Sequence, residues 1–124
     1  MSLVHEEQRA RPRYEVMEFG MLWRSNGQHS EPIASVVITN ASLGGVQFQT
    51  AHPVEVDTEV VLELGGEKGS LFLPGDVRYV NNGVGNLHTC GFRFKPRTRR
   101  DRQDLARYVF SIRDRVVEAS EAVW

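Results

Sequence analysis

The chain has 124 residues, 40% of them hydrophobic and 25% charged, with 15 Lys plus Arg balanced by 16 Asp plus Glu. A chain of this length removes roughly two-thirds of its unfolded surface from water on folding, which predicts one globular domain whose core needs no metal or disulfide, with no room for a second domain. The formal net charge of −1 excludes a wholly basic nucleic-acid coat and any whole-molecule attraction to anionic membranes, so anion binding must come from local clusters among the 13 arginines.

In chain order, residues 1–13 carry Glu6, Glu7, Gln8, Arg9, Arg11 and Arg13 with few apolar side chains, which predicts a flexible N-terminal arm. The domain proper spans residues 14–124. Tyr14, Val16, Met21, Leu22 and Trp23 predict a strand, with Glu18 breaking the run and a polar turn following at Ser25-Asn26-Gly27-Gln28. Ile33–Thr39 is rich in β-branched residues, Gly45–Thr50 and Glu59–Leu64 alternate apolar with polar, and all three read as strands. Gly69–Val80 follows with a predicted break at Pro74-Gly75, and the Asn- and Gly-rich residues 81–86 lead through a hairpin into Leu87–Phe94. Short strands at this spacing predict a closed barrel or small sandwich. After Lys95-Pro96 the period changes: Leu105, Tyr108, Val109, Ile112 and Val116 share one helical face, and Thr98 followed by Asp101 gives an imperfect capping box. One C-terminal helix over about 98–119 is expected to pack its apolar face on the barrel.

The single cysteine, Cys90, forms no intramolecular disulfide and reads as a small core hydrophobe between apolar neighbours. No signal peptide is evident, and the longest apolar runs fall far short of the roughly 20 residues of a membrane span, so a cytoplasmic location is expected. His5, His29, His52 and His88 are scattered outside any zinc signature, and no Gly-x-Ser-x-Gly elbow marks a nucleophile. Neither a metal site nor an enzyme is expected.

Two patterns remain. Arg9-Ala10-Arg11-Pro12-Arg13 is an Arg-x-x-x-Arg, which 13 arginines generate about 1.3 times by chance, so it carries little alone. Asn40-Ala41-Ser42-Leu43-Gly44-Gly45 matches [Asp/Asn]-x-Ser-x-x-Gly, for which the composition predicts only about 0.05 chance matches. These residues also form a local Asn-Ser-Gly turn readily, so the pattern by itself leaves both readings open.

The two motifs in this order, with the Gly75–Val80 strand, the Gly91-Phe92-Arg93-Phe94 strand and a closing helix, resemble the PilZ family over about residues 8–117. The resemblance implies an all-β, six-stranded antiparallel barrel with one C-terminal α-helix, and a bacterial receptor for the second messenger cyclic di-GMP. It places Arg9, Arg13, Asn40, Ser42 and Gly45 at the ligand-binding positions. Gln8 stands where many members carry a further arginine, and Tyr79 is a candidate for stacking on a base, although an aromatic on a barrel strand is more often core.

The ligand's chemistry suits these residue types. Guanidinium can bond a phosphate, clamp guanine O6 and N7, or stack on a base, while Asn and Ser offer acceptors and donors to a guanine edge. The function expected from the resemblance is a stand-alone receptor and adaptor that changes a protein-interaction surface when cyclic di-GMP binds; its effector protein is unidentified, and the resemblance implies motility, type IV pili, exopolysaccharide synthesis or transcription as its setting. Two rivals are a small barrel binding single-stranded nucleic acid through the arm and the Arg93–Arg107 cluster, and a ligand-free PilZ-like scaffold for proteins.

Overall fold

The computed structural model describes residues 13–25, 32–66 and 69–122. Six strands, β1 (Arg13–Arg24), β2 (Pro32–Ser42), β3 (Gly45–Thr50), β4 (Glu59–Gly66), β5 (Gly69–Asn82) and β6 (His88–Phe94), precede one helix, α1 (Arg99–Ala122). Every pairing is antiparallel, and the order β1-β2-β3-β6-β5-β4 closes on itself through β1 and β4. Closure leaves no long unpaired edge, which lets so short a chain carry so much sheet. The arm expected over residues 1–13 lies outside the described residues except for Arg13, the first residue of β1.

Period-two alternation sends one side of each strand inward. Leu22, Val36, Ile38, Phe48, Val60, Leu62, Leu64, Leu73, Val77 and Cys90 are fully or almost fully buried, as the apolar positions of the sequence require. Cys90 is core, and its burial pushes the thiol pKa up. The helix closes the barrel against β5, β1 and β2 with Tyr108 and Ile112 buried, and the Tyr108 ring meets Phe94 edge-on at 6.3 Å. Glu18, the residue that interrupts the apolar run of β1, accepts a hydrogen bond from the Tyr108 hydroxyl at 3.4 Å.

At the helix start, Thr98 Oγ1 accepts the Asp101 N–H at 3.0 Å while Asp101 Oδ2 accepts the N–H groups of Thr98 and Arg97 at 3.1 and 3.0 Å. The capping box is complete, with the shorter Asp in the role usually taken by Glu.

Two elements differ from expectation. The break predicted at Pro74-Gly75 does not occur, because β5 runs unbroken from Gly69 to Asn82. Its first half pairs with β4 and its second half with β6, the latter ladder starting only at Gly75, so Pro74 sits where its missing N–H interrupts no ladder with β6. The strand expected at Ile33–Thr39 continues to Ser42. A bulge carries it through: Ile38 faces Phe48 and Asn40 faces Gln47, leaving Thr39 as the extra residue.

Candidate functional site

That bulge decides where the Asn-x-Ser-x-x-Gly motif points. Ala34, Val36 and Ile38 face the core, and strict alternation would turn Asn40 inward as well. The extra residue shifts the parity, so Ala41 becomes the buried position and Asn40 and Ser42 face out. A second bulge does the same on β5, where Val77 pairs with Phe92 and Tyr79 with Gly91, leaving Arg78 as the extra residue. Val77 faces in, and Arg78 and Tyr79 are both exposed.

Between these walls, on the outer face of β2, β3, β6 and β5, lies a cavity of about 410 Å³. Arg13, Asn40, Ser42, Gly45 and Tyr79 all line it, together with Gln47, Arg78, Gly91 and Arg93. Arg9 and Gln8 lie outside the described residues. Three arginines and no carboxylate line the cavity among the described residues, so its field favours an anion.

Ser42 and Gly45 also hold the β2–β3 turn. The Ser42 hydroxyl donates to the Gly45 carbonyl and accepts the Gly44 N–H, each at 3.3 Å. Gly45 is not among the glycines of positive φ, so left-handed backbone is not its reason for being glycine. Its reason is steric: a Cβ there would overlap the carbonyl oxygen of Phe92 on β6. Gly91 serves Tyr79 in the same way, since a Cβ at Gly91 would run into the tyrosine ring. The ring therefore lies across the β6 backbone, 41% exposed, with its hydroxyl accepting from Gln47 Nε2 at 3.3 Å. Tyr79 is thus a wall of the cavity and not part of the core, a consequence of the bulge at Arg78.

Arg78, Gln47 and Arg93 are cavity residues that motif matching does not reach. For Gln47 and Arg93 the signal present in the sequence was alternation, because each stands between inward-facing residues of β3 and β6. Arg93 pairs across the ladders with Gly45 on one side and Asp76 on the other. Asp76 Oδ2 takes Arg93 Nη2 at 3.3 Å and Lys95 Nζ at 3.0 Å. Burial pushes the Asp76 carboxyl upward, but the hydrogen bonds and charges of Lys95 and Arg93 outweigh it and leave the pKa lowered.

The basic segment from Arg93 to Arg107 is correspondingly less available than its composition suggests. Besides the two cations on Asp76, Arg97 pairs with Glu59 at 2.9 Å and Arg100 with Asp104 at 3.4 Å. Among the described residues no group of three His, Cys, Asp or Glu side chains is placed to hold a metal ion, and no helix is long and apolar enough to cross a membrane.

Sequence comparison with curated proteins finds no significant match. Among solved structures, the chain is similar to the PilZ domain of E. coli YcgR with c-di-GMP, at 16% identity, a TM-score of 0.70, and coverage of 92% of this chain and 98% of that one. It is similar to the PilZ domain of CeSA from a cellulose-synthesizing bacterium at 17% identity and a TM-score of 0.68, covering 82% of this chain and 98% of that one. A complex of K. pneumonia MrkH with c-di-GMP matches at 21% identity and a TM-score of 0.68, covering 92% of this chain and 55% of that one. At these identities the likeness carries the fold, and the six-stranded barrel with its closing helix is common ground. The family model described as PilZ domain matches residues 7–111, from before the first motif to within α1, and the chain accordingly belongs to the PilZ domain family.

Proposed function

We propose that this chain is a receptor for cyclic di-GMP that acts as an adaptor without catalysing any step on its ligand. The observation that carries the reading is the convergence of Arg13, Asn40, Ser42 and Gly45 with Tyr79 on one cation-lined cavity. Cyclic di-GMP brings two phosphates and two guanines. Arg13 suits a phosphate or a guanine O6/N7 edge, the Asn40 amide oxygen suits guanine N–H donors, and Tyr79 offers a ring face to a base. Gly45 lets β3 close on the Phe92 carbonyl of β6 and so keeps the two strands of the cavity floor together. The similar folds of the YcgR domain and MrkH, both solved with c-di-GMP, support the ligand's identity.

In this proposal the residues before β1 form an arm whose Arg9 joins Arg13 on the ligand, and drawing the arm onto the barrel alters the surface offered to a protein partner. What supports the adaptor half is the outer face of β1, where Met17 and Phe19, 79% and 77% exposed, follow closely on Arg13. A cytoplasmic setting, where such a ligand is made and degraded, is part of the same proposal.

The test is calorimetric titration of the chain with cyclic di-GMP, with GTP and a short oligonucleotide as controls. Saturable binding of cyclic di-GMP alone is the expected result. Binding of the oligonucleotide instead, fading steeply as salt releases counterions, transfers the function to nucleic acid. Silence in all three titrations supports a ligand-free scaffold.

A further inference from the structure

We propose that Arg93 is an additional ligand-binding arginine and that Asp76 is the residue that positions it. The inference rests on the cyclic di-GMP reading and extends it to the wall opposite the motif arginine.

Arg93 stands directly across the β3–β6 ladder from Gly45, the last glycine of the motif, and on the same outward face. Its side chain is 46% exposed and lines the cavity. Among the described residues only Nη2 is engaged, by Asp76 Oδ2 at 3.3 Å. A guanidinium carries five N–H donors in a planar fork, so a side chain held by one of them keeps the others for a phosphate or a guanine edge.

Asp76 is suited to holding it. Its side chain is only 8% exposed, and Lys95 grips the same oxygen at 3.0 Å, so the carboxylate has little freedom. The β6 backbone that carries Arg93 is close-packed as well, because a Cβ at either neighbouring glycine, Gly45 or Gly75, would overlap it at Phe92 or Arg93. The strand is therefore held, and the guanidinium has a buried carboxylate to lean on, before a ligand arrives. A side chain fixed in advance loses less rotamer entropy on binding than a free one. Arg78, on the same wall, is exposed and has no ion pair among the described residues, which makes it the internal contrast.

The test is a double-mutant cycle read as cyclic di-GMP affinity on the full chain, with melting curves for every variant. Arg93→Ala is expected to weaken binding roughly ten- to 150-fold, the effect of losing a charge-assisted hydrogen bond, and Arg78→Ala by less. Asp76→Asn is expected to weaken binding severalfold in the wild-type background and to add nothing once Arg93 is Ala, because Asp76 acts through Arg93. Where Arg93→Ala lowers the melting temperature enough to cloud the result, Arg93→Gln keeps the stem and serves in its place. Wild-type affinity in the Arg93 variants, with cyclic di-GMP still binding the parent chain, overturns the inference while leaving the receptor reading intact. An equal loss from Asp76→Asn with and without Arg93 overturns the positioning role. A parent chain that does not bind cyclic di-GMP removes the receptor reading itself.

Discussion

Inside the barrel, β2 and β5 keep strict time: Ala34, Val36 and Ile38, then Leu71, Leu73, Gly75 and Val77, turn to the core at every second residue. On the outer face of the same strands, the cavity depends on the two places where that timing slips, Thr39 and Arg78. One extra residue in each strand brings Asn40 and Ser42 from one wall and Arg78 and Tyr79 from the other to a common space. The core is thus made by periodicity and the site by its interruption. Substitutions on the two faces should differ in kind: those inside should unfold the protein, and those outside should empty the site.

Phe48, fully buried at the barrel centre, gives the largest expected effect. Phe48→Ala should cost about 3–5 kcal/mol of stability in a denaturant titration, a large share of what a small domain possesses. Ligand affinity per folded molecule should change far less. Lost affinity at unchanged stability would erase the contrast between the faces.

Arg13→Ala is the mirror experiment. Exposed at the start of β1, Arg13 should contribute about 1.5–3 kcal/mol to binding by calorimetry, while stability stays within roughly 0.5 kcal/mol of wild type. Equal binding with and without the guanidinium would take Arg13 out of the site.

Gly45→Ala joins the two faces. The new methyl must displace the Phe92 carbonyl, so β3 and β6 separate, and overpacking of this kind costs about 1–3 kcal/mol. Melting temperature and affinity should fall together; an unchanged melting curve would contradict the close approach. Ser42→Ala is milder, removing hydroxyl bonds worth about 0.5–1.5 kcal/mol and loosening the turn at Gly44 and Gly45. Its loss of affinity should be smaller than that of Arg13→Ala.

The smallest effect is an acid one. Because the folded-state pKa of Asp76 is lowered, its ion pairs contribute stability fully above the unfolded value near pH 4, and the contribution is lost as pH falls through the folded value. Asp76→Asn should flatten the stability profile below about pH 4 and leave its slope near neutrality unchanged. An equal acid slope in both proteins would assign the acid sensitivity to other carboxylates.

The same contrast explains what was legible in the sequence. Alternation and β-branching located all six strands, and the Leu105–Tyr108–Ile112 spacing with the Thr98–Asp101 box located the helix, because these signals are local. The Asn40–Gly45 motif was legible as a pattern of residue types. What was not legible were the bulges, since Thr39 and Arg78 differ from their neighbours only in being passed over by the ladder register. Without the bulge at Arg78, Tyr79 falls on an inward position, which is why a core role competed with a binding role. Arg93 was hidden for another reason: its importance comes from Gly45 and Asp76 on either side of it, residues far away in the sequence and adjacent only in the ladder. The break assigned to Pro74 shows the reverse, a strong local signal overridden because β5 changes partners at that point.

The most direct test of the central claim is to titrate ¹⁵N-labelled protein with cyclic di-GMP and follow the backbone amides. Saturable shifts should gather at Gly44, Gly45, Tyr79, Gly91 and Arg93, on both walls of the cavity. Shifts confined to α1 or to the basic segment before it, with Gly44, Gly45 and Gly91 unmoved at saturation, would contradict the account.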